Sequence, residues 1–305
     1  MKYWSAYYFF LLMGLTFGCV KKPEEMEGPT IGKLTILADE SIKDIVMQEE
    51  EIFEREYPYA HLDIRYTNEF DLFSALLVDS IDVIICTRSL KDDELKYLQQ
   101  RNSLPKTYPF ATSAIAFIRN KQSQDTTLTY EQLFTLFRNE DAGVNFVIEN
   151  VKSGISGEIL RLLNTEKLPA HFYALPSKKE VLEYVQAHDN AIGIIDYSDI
   201  SDTDNSYTAQ VLASIHLMGI TRPADSTQFG FVKPFQYNLQ DWKYPFTREL
   251  YVISNTGKSD LGVGFASFIC GEIGQKIILK AGLLPKYQTE RQIEINQTAD
   301  IKVVE

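Results

Sequence analysis

Between residues 33 and 86 the hydrophobic period of the chain switches back and forth between that of a strand and that of a helix, with little room in between. Lys33 to Leu37 alternates and is rich in β-formers. Ser41-Ile42-Lys43-Asp44 then opens a helix that carries Ile42, Ile45, Val46, Ile52 and Phe53 on one face, and Tyr57-Pro58 ends it. Leu62 to Tyr66 is a second strand. Asn68, with Asp71 three places on, caps a short helix bearing Leu72, Phe73, Leu76 and Leu77, and Ile81 to Cys86 is a third strand. A β-α-β-α-β run with connections this short calls for parallel strands with helices packed against them, a doubly wound α/β lobe.

The same grammar returns further on. Ala114 to Arg119 is an apolar strand, and Thr129 to Gln132 caps a helix with Leu133, Phe134, Leu136 and Phe137. Val144 to Ile148 is a strand that leads through Asn150 to Gly157 into a helix with Ile159, Leu160, Leu162 and Leu163. Ser177 with Glu180 caps Val181 to His188, and Ala191 to Ile195 is again a strand. These segments make a second α/β lobe. Ser201 to Tyr207 reads as a polar loop, Leu250 to Ser254 as a strand, and Leu261 to Lys280 as a helical tract interrupted at Gly271 and Gly274. A chain of 305 residues with 45% hydrophobic content suits two lobes of this size.

Charge and cysteine usage narrow the function. With 30 Lys and Arg against 42 Asp and Glu, the net charge of -12 argues against a protein that neutralises a nucleic-acid backbone, so no nucleic-acid partner is expected. Lys2 precedes an apolar run from Tyr7 to Phe17, too short to span a bilayer and suited to the core of a secretory signal. The run closes on Leu15-Thr16-Phe17-Gly18-Cys19, which resembles the lipobox of bacterial lipoproteins and makes Cys19 the expected lipidation site. A plain signal peptide with an incidental Cys19 is the alternative. Residues 20–32 then form a tether. Cys86 and Cys270 lie in apolar segments at no metal-ligand spacing and read as buried thiols, and the four histidines form no metal motif. No nucleophile elbow or P-loop is present, so neither metal nor cofactor is expected.

Three segments share one physical property. Ser41, Thr67 or Asn68, and Ser153-Gly154-Ile155-Ser156 each lie between a strand and the start of the next helix, where amides are unpaired and the dipole end is positive. Such residues are as a rule structural caps that need no ligand, and the same helix ends can also bind anions. In an open parallel sheet they gather outside the carboxyl ends of the strands, so two facing lobes can bring theirs to one small ligand.

Ser80-Ile81-Asp82-Val83-Ile84-Ile85-Cys86-Thr87-Arg88-Ser89-Leu90-Lys91 resembles a segment of the phosphate-binding proteins that serve ABC importers. The resemblance continues in order through Ala114 to Lys121, Leu128 to Leu133, Ala191 to Ile195, Trp242 to Ser254, Gly274-Gln275-Lys276 and Gly282-Leu283-Leu284-Pro285. It implies a type II periplasmic-binding-protein fold, two α/β lobes joined by a two-segment hinge near Pro109 to Ala114 and Tyr244 to Leu250 with a ligand cleft between them. Lobe 1 would comprise residues 33–112 and 247–305, and lobe 2 residues 113–246.

The resemblance further implies a non-enzymatic, extracytoplasmic lipoprotein, monomeric and lipid-anchored to a bacterial membrane facing the periplasm or exterior. Such a protein captures phosphate or a related oxyanion and delivers it to an ABC permease of the inner membrane. The residues it assigns to the ligand are Ser41 with the amide of Ile42, Thr67 and Asn68, Ser153, Gly154 and Ser156, and Asp82 as the carboxylate that accepts a hydrogen bond from a protonated oxyanion. Arg88 matches a position that is often arginine, and a fold-supporting ion pair is its favoured role. Glu149 stands where the family often has an arginine, Ile155 where it has a threonine, and Glu40 and Glu69 flank the two lobe-1 caps. Those departures leave two other readings open. One is a family member repurposed as a sensor or envelope accessory that binds another solute or a protein; the other is an enzyme using Glu40, Glu69 or Asp82 as acid or base.

Overall fold

The computed structural model describes residues 27–223, 228–257 and 259–287. Cys19, the signal segment and the first part of the tether lie outside the described residues, as does the end of the chain beyond residue 287.

Strand β1 (Gly32–Asp39) is followed by a 3-10 turn (Glu40–Ile42), helix α1 (Lys43–Glu56), β2 (Ala60–Thr67), α2 (Glu69–Leu77), β3 (Val83–Cys86) and α3 (Asp92–Gln100). A long strand, β4 (Lys106–Asn120), leads to β5 (Thr127–Leu128), α4 (Tyr130–Arg138), β6 (Asn145–Glu149), α5 (Gly154–Leu163), β7 (Phe172–Leu175), α6 (Lys178–Ala187) and β8 (Ala191–Asp196). The remainder comprises α7 (Ser206–Ser214), β9 (Ile215–Leu217), β10 (Gly219–Ile220), α8 (Gln236–Gln240), β11 (Thr247–Ser254), α9 (Leu261–Cys270), α10 (Glu272–Lys280) and β12 (Leu284–Pro285).

The principal sheet runs β2-β1-β3-β11-β4-β8-β6-β7. β1, β2 and β3 are mutually parallel, as are β6, β7 and β8, and β11 and β4 enter antiparallel. Each half therefore repeats one order: second strand, first strand, third strand, then a crossing strand. β4 joins the halves. It pairs with β11 through Ala114 and with β8 from Ile115 onward, and so belongs to lobe 1 at its start and lobe 2 at its end.

Core patterning follows the helical and strand periods. α1 buries Ile45, Val46, Glu49 and Phe53, and the Phe53 ring packs 5.0 Å from Phe265 of α9. In lobe 2, Phe137 contacts both Phe146 (4.8 Å) and Phe172 (5.5 Å). Residues 27–31, expected to belong to a free tether, instead form a turn closed by a Gly28–Ile31 bridge. The Pro29 carbonyl occupies the space a side chain on Gly264 would need, which ties this turn to α9.

Three elements depart from the sequence expectation. β4 begins eight residues earlier than the apolar run suggested, because a register shift between Leu250 and Tyr251 leaves Phe110 bulged beside Pro109. The bulge accommodates a proline that cannot donate to the ladder. The Phe110 carbonyl is satisfied by the Gln275 amide (3.0 Å) and the Lys286 N–H (3.0 Å). The segment read as a loop ends in α7, whose first amides at Tyr207 and Thr208 are capped by Asn205. The start of α1 is not capped by Ser41: Asp39 caps the preceding 3-10 turn by accepting from the Ser41 amide at 2.9 Å.

Candidate functional site

The carboxyl ends of the parallel strands in the two lobes face each other, as the topology of open α/β sheets favours for a ligand site. β1 ends in Asp39, 1% exposed. Its Oδ1 accepts from the Ser41 amide and its Oδ2 from the Thr87 hydroxyl (3.3 Å), Thr87 being the residue after β3. Burial holds the Asp39 carboxyl above its usual range, and the nearby Glu69 adds to this; the Arg248 charge and the Ser41 hydrogen bond only partly offset it. The Ser41 hydroxyl is buried and makes no hydrogen bond within the protein.

Arg248, on β11, is the cation at the centre. Its Nη1 pairs with Asp196 at 2.7 Å, both side chains being almost wholly enclosed, and its Nη2 donates to the Thr87 hydroxyl. Asp196 is the last residue of β8, so Arg248 links the third-strand ends of the two lobes. The other Asp196 oxygen accepts from Ser113 (2.6 Å) and from the amide (2.9 Å) and hydroxyl (2.8 Å) of Ser198. With this many donors the buried carboxylate is fully solvated by protein.

Facing Arg248 is the start of α5. Ser153 caps it, accepting from the Ser156 amide at 3.3 Å, and the Ser156 hydroxyl donates to the Asn150 carbonyl at 2.8 Å. Both hydroxyls are thus turned into their own loop. Gly154 is where the lobes meet: a Cβ there would collide with the Arg248 guanidinium and lie 2.5 Å from Glu69 Oε2 and 3.0 Å from the Thr87 hydroxyl. A larger residue would have to push the Arg248 or Glu69 side chain aside.

The lobes are in contact around this point. The Phe70 amide donates to the Lys152 carbonyl (3.4 Å), the Ser198 hydroxyl shares its one proton between Asp196 and the Ser41 carbonyl (3.2 Å), and Lys152 pairs with Asp71 (3.1 Å). On the far side Glu149 accepts from the Lys178 amide (3.0 Å), and Lys178 pairs with Asp199 (2.6 Å). Burial raises the carboxyl groups of Glu149, Glu40 and Asp199, the last to about 7. Burial also works against the charge on Lys178, but Asp199 outweighs it and raises the ammonium. Acidic as the cleft is, no three metal-ligating side chains converge on one point among the described residues.

The structure brings Ser41, Ser153, Gly154 and Ser156 to the cleft. Thr67 ends β2 beside Asp39. Asn68 is spent on its helix, accepting from the Asp71 amide (3.0 Å) and donating to the Asp71 carboxylate (2.7 Å). The Ile42 side chain is sealed in the lobe-1 core, while its amide, the group assigned to the ligand, belongs to the turn that carries Ser41. Asp82 is a correction: it is exposed before the amino end of β3, because the parallel register turns the opposite end of that strand, Cys86-Thr87, toward the cleft. Sequence reasoning passed over Asp39, Thr87, Asp196 and Arg248. The available signal was position, since each sits at a strand end or on the segment that crosses between the lobes.

A cleft between two topologically matched lobes, crossed by two strands and lined by strand ends and a helix N-terminus, is a bilobal architecture that places a small-ligand site between its lobes. The chain belongs to the PBP superfamily: the model of the PBP superfamily domain matches residues 23–272. The arrangement is the type II periplasmic-binding-protein fold. A curated relative, the phosphate-binding protein PstS of Pseudomonas aeruginosa, is 22% identical over 282 residues, covering 83% of each chain. A solved structure from Clostridium perfringens, described as a phosphate ABC transporter substrate-binding protein with bound phosphate, superposes with a TM-score of 0.66 at 19% identity over 83% of this chain and 99% of that one. An ABC-type phosphate transport receptor from Vibrio cholerae gives 0.63 at 15% identity over 83% and 99%.

Proposed function

We propose that this chain is the solute-binding component of an ABC importer of the phosphate type, capturing inorganic phosphate or a related small oxyanion in the interlobe cleft without turnover. The observation that carries the reading is the open start of α5 at Gly154, held against Arg248 and Thr87 on the other side of the cleft. The α5 amides, the Arg248 guanidinium and the Thr87 and Ser41 hydroxyls are donors, the set an oxyanion requires. Asp39 takes the part first given to Asp82. An ionised carboxylate accepts only, so it holds a hydrogen phosphate through its proton and rejects sulfate, which brings none. Anchoring through Cys19, monomeric action and delivery to an inner-membrane permease complete the proposal; loss of membrane attachment in Cys19→Ser tests the anchor.

Thermal unfolding of residues 20–305, freed of phosphate by unfolding and refolding, tests the ligand. A ligand at 100 times its Kd adds about 2.7 kcal/mol, which raises Tm by a few degrees in a chain of this size. A rise with phosphate and none with sulfate is expected. No rise at millimolar phosphate contradicts the assignment.

A further inference from the structure

The contact between the lobes at Gly154 is accompanied by two lysines of lobe 2, and each meets an aspartate in the first turn of a lobe-1 helix. Lys152 stands just before Ser153, the cap of α5. Its Nζ pairs with Asp71 of α2 at 3.1 Å and lies 5.2 Å from the centre of the Phe70 ring, while its carbonyl accepts from the Phe70 amide at 3.4 Å. Lys178, the first residue of α6, donates to Asp199 of its own lobe at 2.6 Å and comes within 3.9 Å of Asp44 of α1. One turn of lobe 2 sets both lysines: Glu149 accepts from the Lys178 amide (3.0 Å), and the Asn150 side chain accepts from the Lys152 amide (3.0 Å). Asn150 does so from the left-handed region, at φ 53°, which asparagine tolerates better than most residues. Its carbonyl accepts from the Ser153 amide (3.2 Å) and the Ser156 hydroxyl (2.8 Å). The turn that grips lobe 1 is therefore continuous with the helix start offered to the ligand.

We infer that Lys152 and Lys178 form a two-point clasp: their pairs with Asp71 and Asp44 hold lobe 2 against the helix starts of lobe 1, so that closure of the cleft, and anion affinity with it, is tuned by charges that touch no ligand. This rests on the phosphate reading above for its ligand and specifies how that site is regulated. A ligand that contacts both lobes binds the closed form, so its apparent affinity is the intrinsic value multiplied by the fraction of chains that are closed. The two aspartates suit a contact that must form and part. Each lies where the dipole of its own helix favours a carboxylate. Their side chains are 47% and 59% exposed, so opening hands both to water and strands no buried charge. Hydrogen bonds from Asn68 and Lys152 hold the Asp71 carboxyl below its usual range, which keeps this partner charged at neutral pH.

The test is calorimetric titration of inorganic phosphate into the natural chain and into Lys152→Glu, Asp71→Lys, those two together, and Asp44→Lys, with small-angle scattering of each before phosphate is added. The two aspartate variants are decisive, because each adds positive charge near an anion site. Simple attraction predicts tighter binding from them, and the clasp predicts weaker. Lys152→Glu and Asp71→Lys should each weaken phosphate binding about fivefold, the effect of turning an exposed pair into a repulsion, and Asp44→Lys about threefold. The double variant restores opposite charges and should return to within about twofold of the natural chain. Asp71→Lys or Asp44→Lys binding phosphate as tightly as the natural chain or more so, or a double variant no better than its weaker parent, overturns the clasp and leaves the phosphate reading standing. If no protein binds phosphate, the phosphate reading falls and scattering decides alone. Single variants more extended than both the natural chain and the double variant then uphold the clasp, and one radius for all overturns it.

Discussion

In lobe 1 the first strand ends in Asp39, and a 3-10 turn closes over that carboxylate before α1 begins; in lobe 2 the first strand ends in Glu149, and α5 begins beyond a short loop at Gly154. The two positions are topologically equivalent, and so are Thr87 and Asp196 at the ends of the third strands. Asp39 and Glu149 both accept from a backbone amide, but the helix starts beyond them differ. Lobe 1 uses a carboxylate to satisfy its own turn amide, which removes that amide from service and leaves an acceptor in the cleft. Lobe 2 caps its helix with Ser153 and keeps Gly154 bare, which leaves the helix end open to whatever approaches. Repetition of a fold supplies two facing sets of strand ends, and single residues at those ends decide which lobe gives and which accepts. Arg248 then joins Thr87 to Asp196 across the divide.

The strongest way to break this pairing is to remove Arg248. Arg248→Met leaves Asp196 buried with only neutral donors, and loss of one partner of a buried pair costs about 3–5 kcal/mol. Urea unfolding should show a loss of that order, and Asp196→Asn added to the variant should recover part of it. A loss below about 1 kcal/mol, the value of an exposed pair, would show that the lobes are not joined electrostatically there.

A second difference lies in the cores. α1 of lobe 1 buries Glu49 with neither oxygen hydrogen-bonded, and burial alone lifts its carboxyl from 4.5 to about 9. The folded state thus keeps a proton the unfolded chain gives up. Stability from this group is complete below about pH 4.5 and is lost as pH rises toward about 9, at up to about 1.4 kcal/mol per pH unit in between. Glu49→Gln should flatten the dependence of Tm on pH across that window and raise Tm at pH 8. An unchanged slope would place the titration elsewhere.

The smallest effects sharpen the assignment of the acceptor. Asp39→Asn should narrow the preference for phosphate over sulfate by about tenfold, the loss of one charge-assisted hydrogen bond. Asp82→Asn, at the exposed opposite end of β3, should change neither binding nor stability beyond about 0.5 kcal/mol. Titration calorimetry on both variants separates them, and the reverse ranking would return the acceptor to Asp82.

The α/β class was legible because buried parallel strands are apolar runs and surface helices carry a 3.6-residue stripe, as in Val83 to Cys86 and in Ile45, Val46 and Phe53. What stayed hidden had local causes. Pro109 masked the first half of β4, since its tolerance depends on a bulge formed against β11, far away in sequence. Ser206 to Ser214 offered too little apolar surface to outweigh the polar stretch before it. In the site, the lobe-2 loop was found because Ser153-Gly154 is a local signal of a helix start. Arg248, Asp196 and Thr87 are ordinary residues until three strand ends from distant segments meet. Asp82 misled for the same reason: an aspartate next to a strand says nothing of which end of the sheet faces the cleft.

Most direct would be a crystal structure of the chain with arsenate, whose anomalous scattering locates the ion without ambiguity. The account places it at the start of α5, within hydrogen-bonding distance of Gly154 or Ile155 amides, Thr87 and Arg248. An arsenate bound elsewhere, or none bound at saturating arsenate, would contradict it.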